Sequence, residues 1–183
     1  MTAESVAPEV LHIWAVYLRA SEEARRRGDR RTGTDHVLLA LLEDPSAEVV
    51  LGVSLQQARQ ALESLDHEAL GALGLGSGTD APPLPMRAVP KKPTFRDVAK
   101  KDRFRMTPAA KKVLEDAVRP NRRKSQVTAL QVLAQILALQ PPDPAAVLLG
   151  ALGVNTSQVR SRLDAVTYLA SDVGVPFNGR PRG

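Results

Sequence analysis

Apolar positions fall in two blocks with helical spacing, separated by a Gly- and Pro-rich stretch in which the run Phe95 to Lys101 is expected to form at most a turn of helix. In the first block, Pro8 to Arg27 places Leu11, Trp14, Leu18 and Ser21 on one stripe, and Gly28 follows as a stop. Thr34 reads as the N-cap of a second helix carrying Leu38, Leu39, Leu41 and Leu42, which ends before Pro45. A short helix spans Ala47 to Leu51 and meets Gly52. Ser54-Leu-Gln-Gln57 has capping-box spacing and opens a helix with Ala58, Ala61, Leu62 and Leu65 on one face. In the second block Thr107-Pro108 pairs a capping residue with proline at the first helical position, ahead of Val113, Leu114, Ala117 and Val118. Pro120 ends that helix. Thr128 caps a helix with Val132, Leu133, Ile136 and Leu137. Ala145 to Leu149 is a second short element before Gly153, and Asn155-Thr-Ser-Gln158 opens a last helix with Val159, Leu163, Val166 and Leu169.

The two blocks run in the same order. Thr34 to Ala40 falls on Thr128 to Ala134, and Gly52 to Leu62 falls on Gly153 to Leu163, with the extra residues around Gln140-Pro-Pro-Asp-Pro144. The expected fold is all-α, with two pseudo-symmetric repeats of four helices. The repeats span residues 8–70 and 106–170. Between them, residues 71–105 combine Gly71 to Gly78 with Pro82, Pro83, Pro85, Pro90 and Pro93, the composition of an extended linker. Residues 171–183, with Pro176, Gly179, Pro181 and Gly183, read as a mobile tail.

Composition narrows the chemistry. Of 183 residues only 3% are aromatic and none is cysteine, so the core is aliphatic, and disulfides, thiolate metal sites and cysteine nucleophiles are excluded. The net charge of +5 is local. Between Arg87 and Arg105 eight basic residues face Asp97 and Asp102, a net +6, which leaves about −1 elsewhere. The residues Met1 to Glu9 do not read as a signal peptide, and no apolar run approaches the roughly 20 residues that span a bilayer. A cytoplasmic protein without membrane contact is expected.

The motif Glu22-Glu-Ala-Arg25, followed by Gly33-Thr-Asp-His-Val-Leu-Leu-Ala-Leu-Leu42, resembles the hallmark of the N-terminal repeat of the Clp chaperone-ATPases. Thr107-Pro-Ala-Ala-Lys-Lys-Val-Leu-Glu115 and Leu152-Gly-Val-Asn-Thr-Ser-Gln-Val-Arg160 resemble the start and end of the second repeat of ClpC-type proteins. The resemblance covers about Val10 to Leu65 and Met106 to Leu169. It implies a non-enzymatic domain that binds protein clients or adaptors, or cyclic peptides, in connection with a Clp ATPase and protease. No G-x-x-x-x-G-K-(S/T) phosphate loop occurs, so the chain resembles the orphan form without ATPase modules, and no cofactor is implied. The peptide-binding positions it points to are Met106, Thr107, Lys111 and Glu115 at the start of the second repeat, together with Asp35. The family's phosphoarginine site joins an opening threonine to the acid of G-T-E-H. Here the first repeat has Asp35 with Val10 and the second has Thr107 with Ala129, so neither half pairs them.

Each of these residues also has a plain structural reading. Asp35 sits in a first helical turn, where a carboxylate gains about 0.3–1 kcal/mol from the helix dipole. His36 aligns with Leu130, which points to packing rather than to a base or ligand. Lys111 and Glu115, four apart, are also the spacing of a surface ion pair. Trp14 reads as a core anchor, and Glu22, Glu23, Glu115 and Asp116 as solvated helix faces. The Arg25-Arg-Arg27 run with Arg30 and Arg31 is either a charged helix end or a contact for an acidic partner. His12 and His67 lack metal-ligand spacing. Nucleic-acid binding through the basic linker is the competing function. It would be electrostatic and salt-dependent, with only Phe95 and Phe104 available for stacking.

Overall fold

The computed structural model describes residues 10–74, 105–121 and 125–172, with side chains of the last helix described through residue 165. The linker and tail expectations therefore lie largely outside the described residues. Within them the chain is mostly helical. A short strand β1 (Val10–His12) leads into α1 (Ile13–Arg27), then α2 (Thr34–Leu41), α3 (Pro45–Leu51) and α4 (Leu55–Ala72). The second half contains α5 (Pro108–Val118), a 3-10 turn over Arg119–Asn121, strand β2 (Gln126–Thr128), α6 (Ala129–Ile136), α7 (Pro144–Ala151) and α8 (Thr156–Asp172).

Most boundaries follow from capping chemistry. Ser54 and Gln57 form a reciprocal box at α4, and Thr128 and Gln131 form another at α6. Thr107 Oγ1 accepts the Ala110 amide with Pro108 in the first turn, and Asn155 Oδ1 accepts the amides of Ser157 and Gln158. Asp44 and Asp143 cap α3 and α7, each with proline next, which starts both short helices earlier than their apolar residues suggest. Gly28 and Gly52 close α1 and α3 at φ of 81° and 70°, a left-handed conformation that favours glycine.

Two starts differ from the sequence reading. Helix α1 begins at Ile13 rather than Pro8, because Val10–His12 pair antiparallel with Gln126–Thr128 and His12 Nδ1 then caps the helix at the Trp14 amide, 3.2 Å. Helix α2 is capped at Gly33, not Thr34. The Gly33 amide donates to His36 Nδ1 at 3.0 Å, so the third helical residue supplies the cap. Thr34 is wholly buried, and its hydroxyl donates to Asp143 Oδ1 at 2.7 Å in the other half of the chain.

Helix α2 packs against α1, α4, α5, α6 and α7; α6 packs against α3, α5 and α8; α4 meets α7, and α3 meets α8. Buried side chains of both halves, among them Leu38, Leu41, Leu133, Ile136 and Leu148, form one continuous cluster. A second backbone link joins the halves where Thr32 and Met106 form a parallel bridge, the Thr32 amide donating to Arg105 O at 2.7 Å and the Thr107 amide to Thr32 O at 2.9 Å. No helix among the described residues is long and apolar enough to cross a membrane.

Candidate functional site

A groove of about 580 Å³ lies between α1 and the start of α5. That volume falls within the roughly 300–1,000 Å³ typical of ligand clefts. Helix α1 contributes Ile13, Trp14 and Tyr17, one turn of a single face. Helix α5 contributes Lys111, Leu114, Glu115 and Val118, an i, i+3, i+4, i+7 stripe. Met106 completes the lining. Its backbone is held by the Thr32 bridge and by the capped helix that follows, so a flexible thioether stands on a fixed main chain.

The lining is mostly apolar, with Lys111 and Glu115 as its charged members. Trp14 and Tyr17 lie with ring centroids 5.0 Å apart and tilted by 37°. Trp14 packs against the core while remaining partly accessible, so it serves both as anchor and as groove wall. Lys111 Nζ and Glu115 Oε1 are 3.6 Å apart and both side chains are well exposed, which makes a weak ion pair that a ligand can displace at little cost.

Of the positions singled out in the sequence, Met106, Lys111 and Glu115 line this groove. Thr107 does not line it but fixes the helix that does. Asp35 lies apart. It is buried in the first turn of α2, with Oδ1 3.1 Å from His36 Nδ1. Burial pushes its carboxyl up, but the hydrogen bond and charge of His36 outweigh that and hold it below its ordinary value. His36 shows the converse: burial pulls the imidazole down, while Asp35 and then Asp29 raise it overall. Its Nε2 lies 2.9 Å from Asp29 Oδ2.

Of the α1 wall, Trp14 is read from the sequence as a core anchor, and Ile13 and Tyr17 are not read as site residues. The signal of the wall was present in the spacing of Ile13, Trp14 and Tyr17, but the same spacing serves a core. Glu23 corrects another reading: it is 3% exposed rather than solvated, forked by Arg59 of α4 and approached by Arg26 at 3.3 Å. Among the described residues no cluster of His, Asp and Glu is arranged to hold a metal ion. Compared with models of known protein families and with curated proteins, the chain matches none.

Proposed function

We propose that this protein is a non-enzymatic protein- or peptide-binding module built from two Clp N-type helical repeats, with the groove between α1 and α5 as its receiving site. The observation that carries the reading is that Met106, Lys111 and Glu115, the positions to which the family resemblance points, line one groove together with Trp14 and Tyr17. The packing supports the repeat. Exchanging α1–α4 for α5–α8 turns the α2–α7 contact into α6–α3 and the α4–α7 contact into α8–α3, and all four occur. The caps agree: Asp44-Pro45 answers Asp143-Pro144, and Gly52 answers Gly153 in the same left-handed conformation. In this reading the module receives clients or adaptors and modulates Clp-dependent proteolysis, and cyclic peptides fit the same groove.

The test uses labelled peptides selected on the full chain from a displayed library, titrated by fluorescence anisotropy. Met106→Asp places a carboxylate among the apolar lining residues. It is expected to weaken binding at least about tenfold, roughly 1.4 kcal/mol, with helical circular dichroism unchanged. Equal affinity in the folded variant would move the receiving site elsewhere.

A further inference from the structure

One peptide unit joins the cap of α2 to the start of α5. The Thr32 carbonyl accepts the Thr107 amide at 2.9 Å, and the Gly33 amide, in the same rigid plane, donates to His36 Nδ1 at 3.0 Å. His36 Nε2 lies 2.9 Å from Oδ2 of the exposed Asp29. With the ring neutral these contacts form one chain. Nε2–H donates to Asp29, Nδ1 accepts from Gly33, and the Thr32 carbonyl accepts from Thr107. The chain begins at the surface and ends beside Met106, whose side chain lines the groove. A second bond, from the Thr32 amide to Arg105 O at 2.7 Å, ties the same residue to the other side of Met106. Hydrogen bonds linked through an amide polarise one another, so they strengthen and weaken together.

Protonation breaks this chain at one point, because an imidazolium has no acceptor. Its Nδ1–H turns to Asp35 Oδ1, 3.1 Å away, and the Gly33 amide loses its partner. Gly33 is buried, so bulk water does not replace the bond. The charged groups around the ring favour the exchange. Asp35 faces it from α2 and Asp29 from the preceding loop, while Arg27 of α1 is paired with Asp29 at 3.1 Å and with Asp66 of α4 at 2.8 Å. Asp143, at the start of α7, is engaged by the Thr34 hydroxyl, α6 has no charged residue, and Lys111 and Glu115 of α5 pair with each other. Burial pulls the imidazole down, but the two carboxylates raise it overall, which moves its titration toward neutral pH.

We propose that His36 is a positioning residue that makes the groove proton-sensitive: the neutral ring holds Met106 in place through the Thr32–Gly33 peptide, and protonation loosens it and weakens ligand binding. The inference rests on the groove reading above and adds its regulation. The protonated protein gains the ion pair with Asp35 and stays folded; what it loses is the fixed start of α5. By linkage, a ligand that prefers the fixed groove lowers the affinity of His36 for its proton.

The full chain carries three methionines, so labelled methyl groups give three resonances, and Met106→Leu assigns the one from the groove. From mildly acidic to mildly alkaline pH, the Met106 resonance should move with the same midpoint as the His36 ring protons. His36→Gln keeps an acceptor for the Gly33 amide and should hold the resonance at its alkaline position throughout. Asp29→Asn removes a negative charge beside the ring and should shift the midpoint to lower pH. His12 caps α1 at the Trp14 amide, also beside the groove; His12→Asn keeps that cap and should leave the response intact. Peptides selected on the chain should bind at least about tenfold more weakly at the acidic end, and this difference should vanish in His36→Gln. A Met106 resonance that stays still, moves equally in His36→Gln, or keeps its midpoint in Asp29→Asn overturns the coupling and leaves the groove reading intact. A response lost in His12→Asn assigns the proton to His12 and overturns it too. A resonance that follows His36 while peptide affinity stays level overturns the control of binding. Peptide affinity indifferent to Met106→Asp overturns the groove reading, and the control of binding with it.

Discussion

His36 has two ring nitrogens and three partners. Nε2 faces Asp29, while Nδ1 lies 3.0 Å from the Gly33 amide and 3.1 Å from Asp35 Oδ1. A neutral ring accepts from Gly33 at Nδ1 and donates to Asp29. A protonated ring donates to Asp35 instead, so protonation exchanges the cap for an ion pair. Gly33 leaves room for this arrangement: its backbone is ordinary extended chain, but an added Cβ would lie 2.3 Å from Asp35 Oδ1. The sequence alignment set His36 against Leu130. The caps set it against Gln131, which accepts the Thr128 amide as His36 accepts that of Gly33. A capping role at the third helical position cannot be read from histidine, because glutamine and glutamate are the usual signal. The pH consequence has a definite sign. His36 is raised above its ordinary 6.5, so its contribution is complete below that value and is lost as pH rises through the raised one. Asp35 is lowered from 3.8, so its contribution is complete above that value and is lost as pH falls through the lowered one. Stability should therefore plateau in mildly acidic solution and decline through neutrality. His36→Gln keeps a capping acceptor and should remove the decline on the neutral side, as read from urea midpoints across pH. A variant with the same slope as the wild type would show that His36 does not titrate against this pair.

Elements were legible where their signals are local and obscure where a distant partner decides. The caps at Ser54, Thr107, Thr128 and Asn155 stand in the sequence and in the structure alike, since an N-cap needs only a side chain and an amide two or three residues on. Thr128→Ala, which removes the acceptor for the Gln131 amide, should cost about 1 kcal/mol in chemical denaturation. The start of α1 was not legible, because β1 is three residues long and exists through pairing with β2 in the other half. The burial of Glu23 was equally hidden. Helical periodicity places it beside Glu22, which is exposed, and only the arrival of Arg59 from α4 makes a buried carboxylate tolerable. Arg59→Ala should accordingly destabilise by about 2 kcal/mol, leaving a buried acid short of its main donor. Arg26→Ala, at a half-exposed position, should cost less than about 1 kcal/mol. Comparable losses in urea titrations would show that the α1–α4 fork carries no special weight.

At the scale of the whole molecule, the sequence lays out two helical blocks and the packing makes one core from them. Half of the groove was legible for this reason. The α5 stripe and Met106 are contiguous in sequence, whereas the α1 wall faces them only once β1 pairs with β2 and Thr32 bridges to Met106. The contacts between halves are central rather than peripheral. Helix α2 packs on α6 and α7, α3 on α6 and α8, and the buried Thr34 donates a part-buried hydrogen bond to Asp143 while accepting the Ala145 amide at 3.3 Å. The two capping aspartates meet the same demand differently. Asp44 Oδ1 takes the hydroxyl of Ser46 beside it at 2.6 Å, and Asp143 Oδ1 takes that of Thr34 from across the interface. A half standing alone would expose the apolar faces of α2 and α3, or of α6 and α7, and Asp143 would lose the Thr34 hydroxyl while keeping the Ala145 amide. The exposed apolar area is the decisive loss for a short helical bundle, given that small domains bury only about 60% of their chain surface. The full chain should therefore unfold in one cooperative transition, with circular dichroism and Trp14 fluorescence coincident across a urea titration. Thr34→Val should lower stability by about 1–3 kcal/mol without splitting the transition, because it removes the hydroxyl that donates to Asp143 and accepts the Ala145 amide at the shared core. Fragments covering residues 10–74 and 105–172 should each lack a cooperative transition when separate. Two resolved transitions in the full chain, or a fragment that unfolds cooperatively alone, would mean that the halves are independent domains and that the groove between α1 and α5 forms by their docking rather than by their folding.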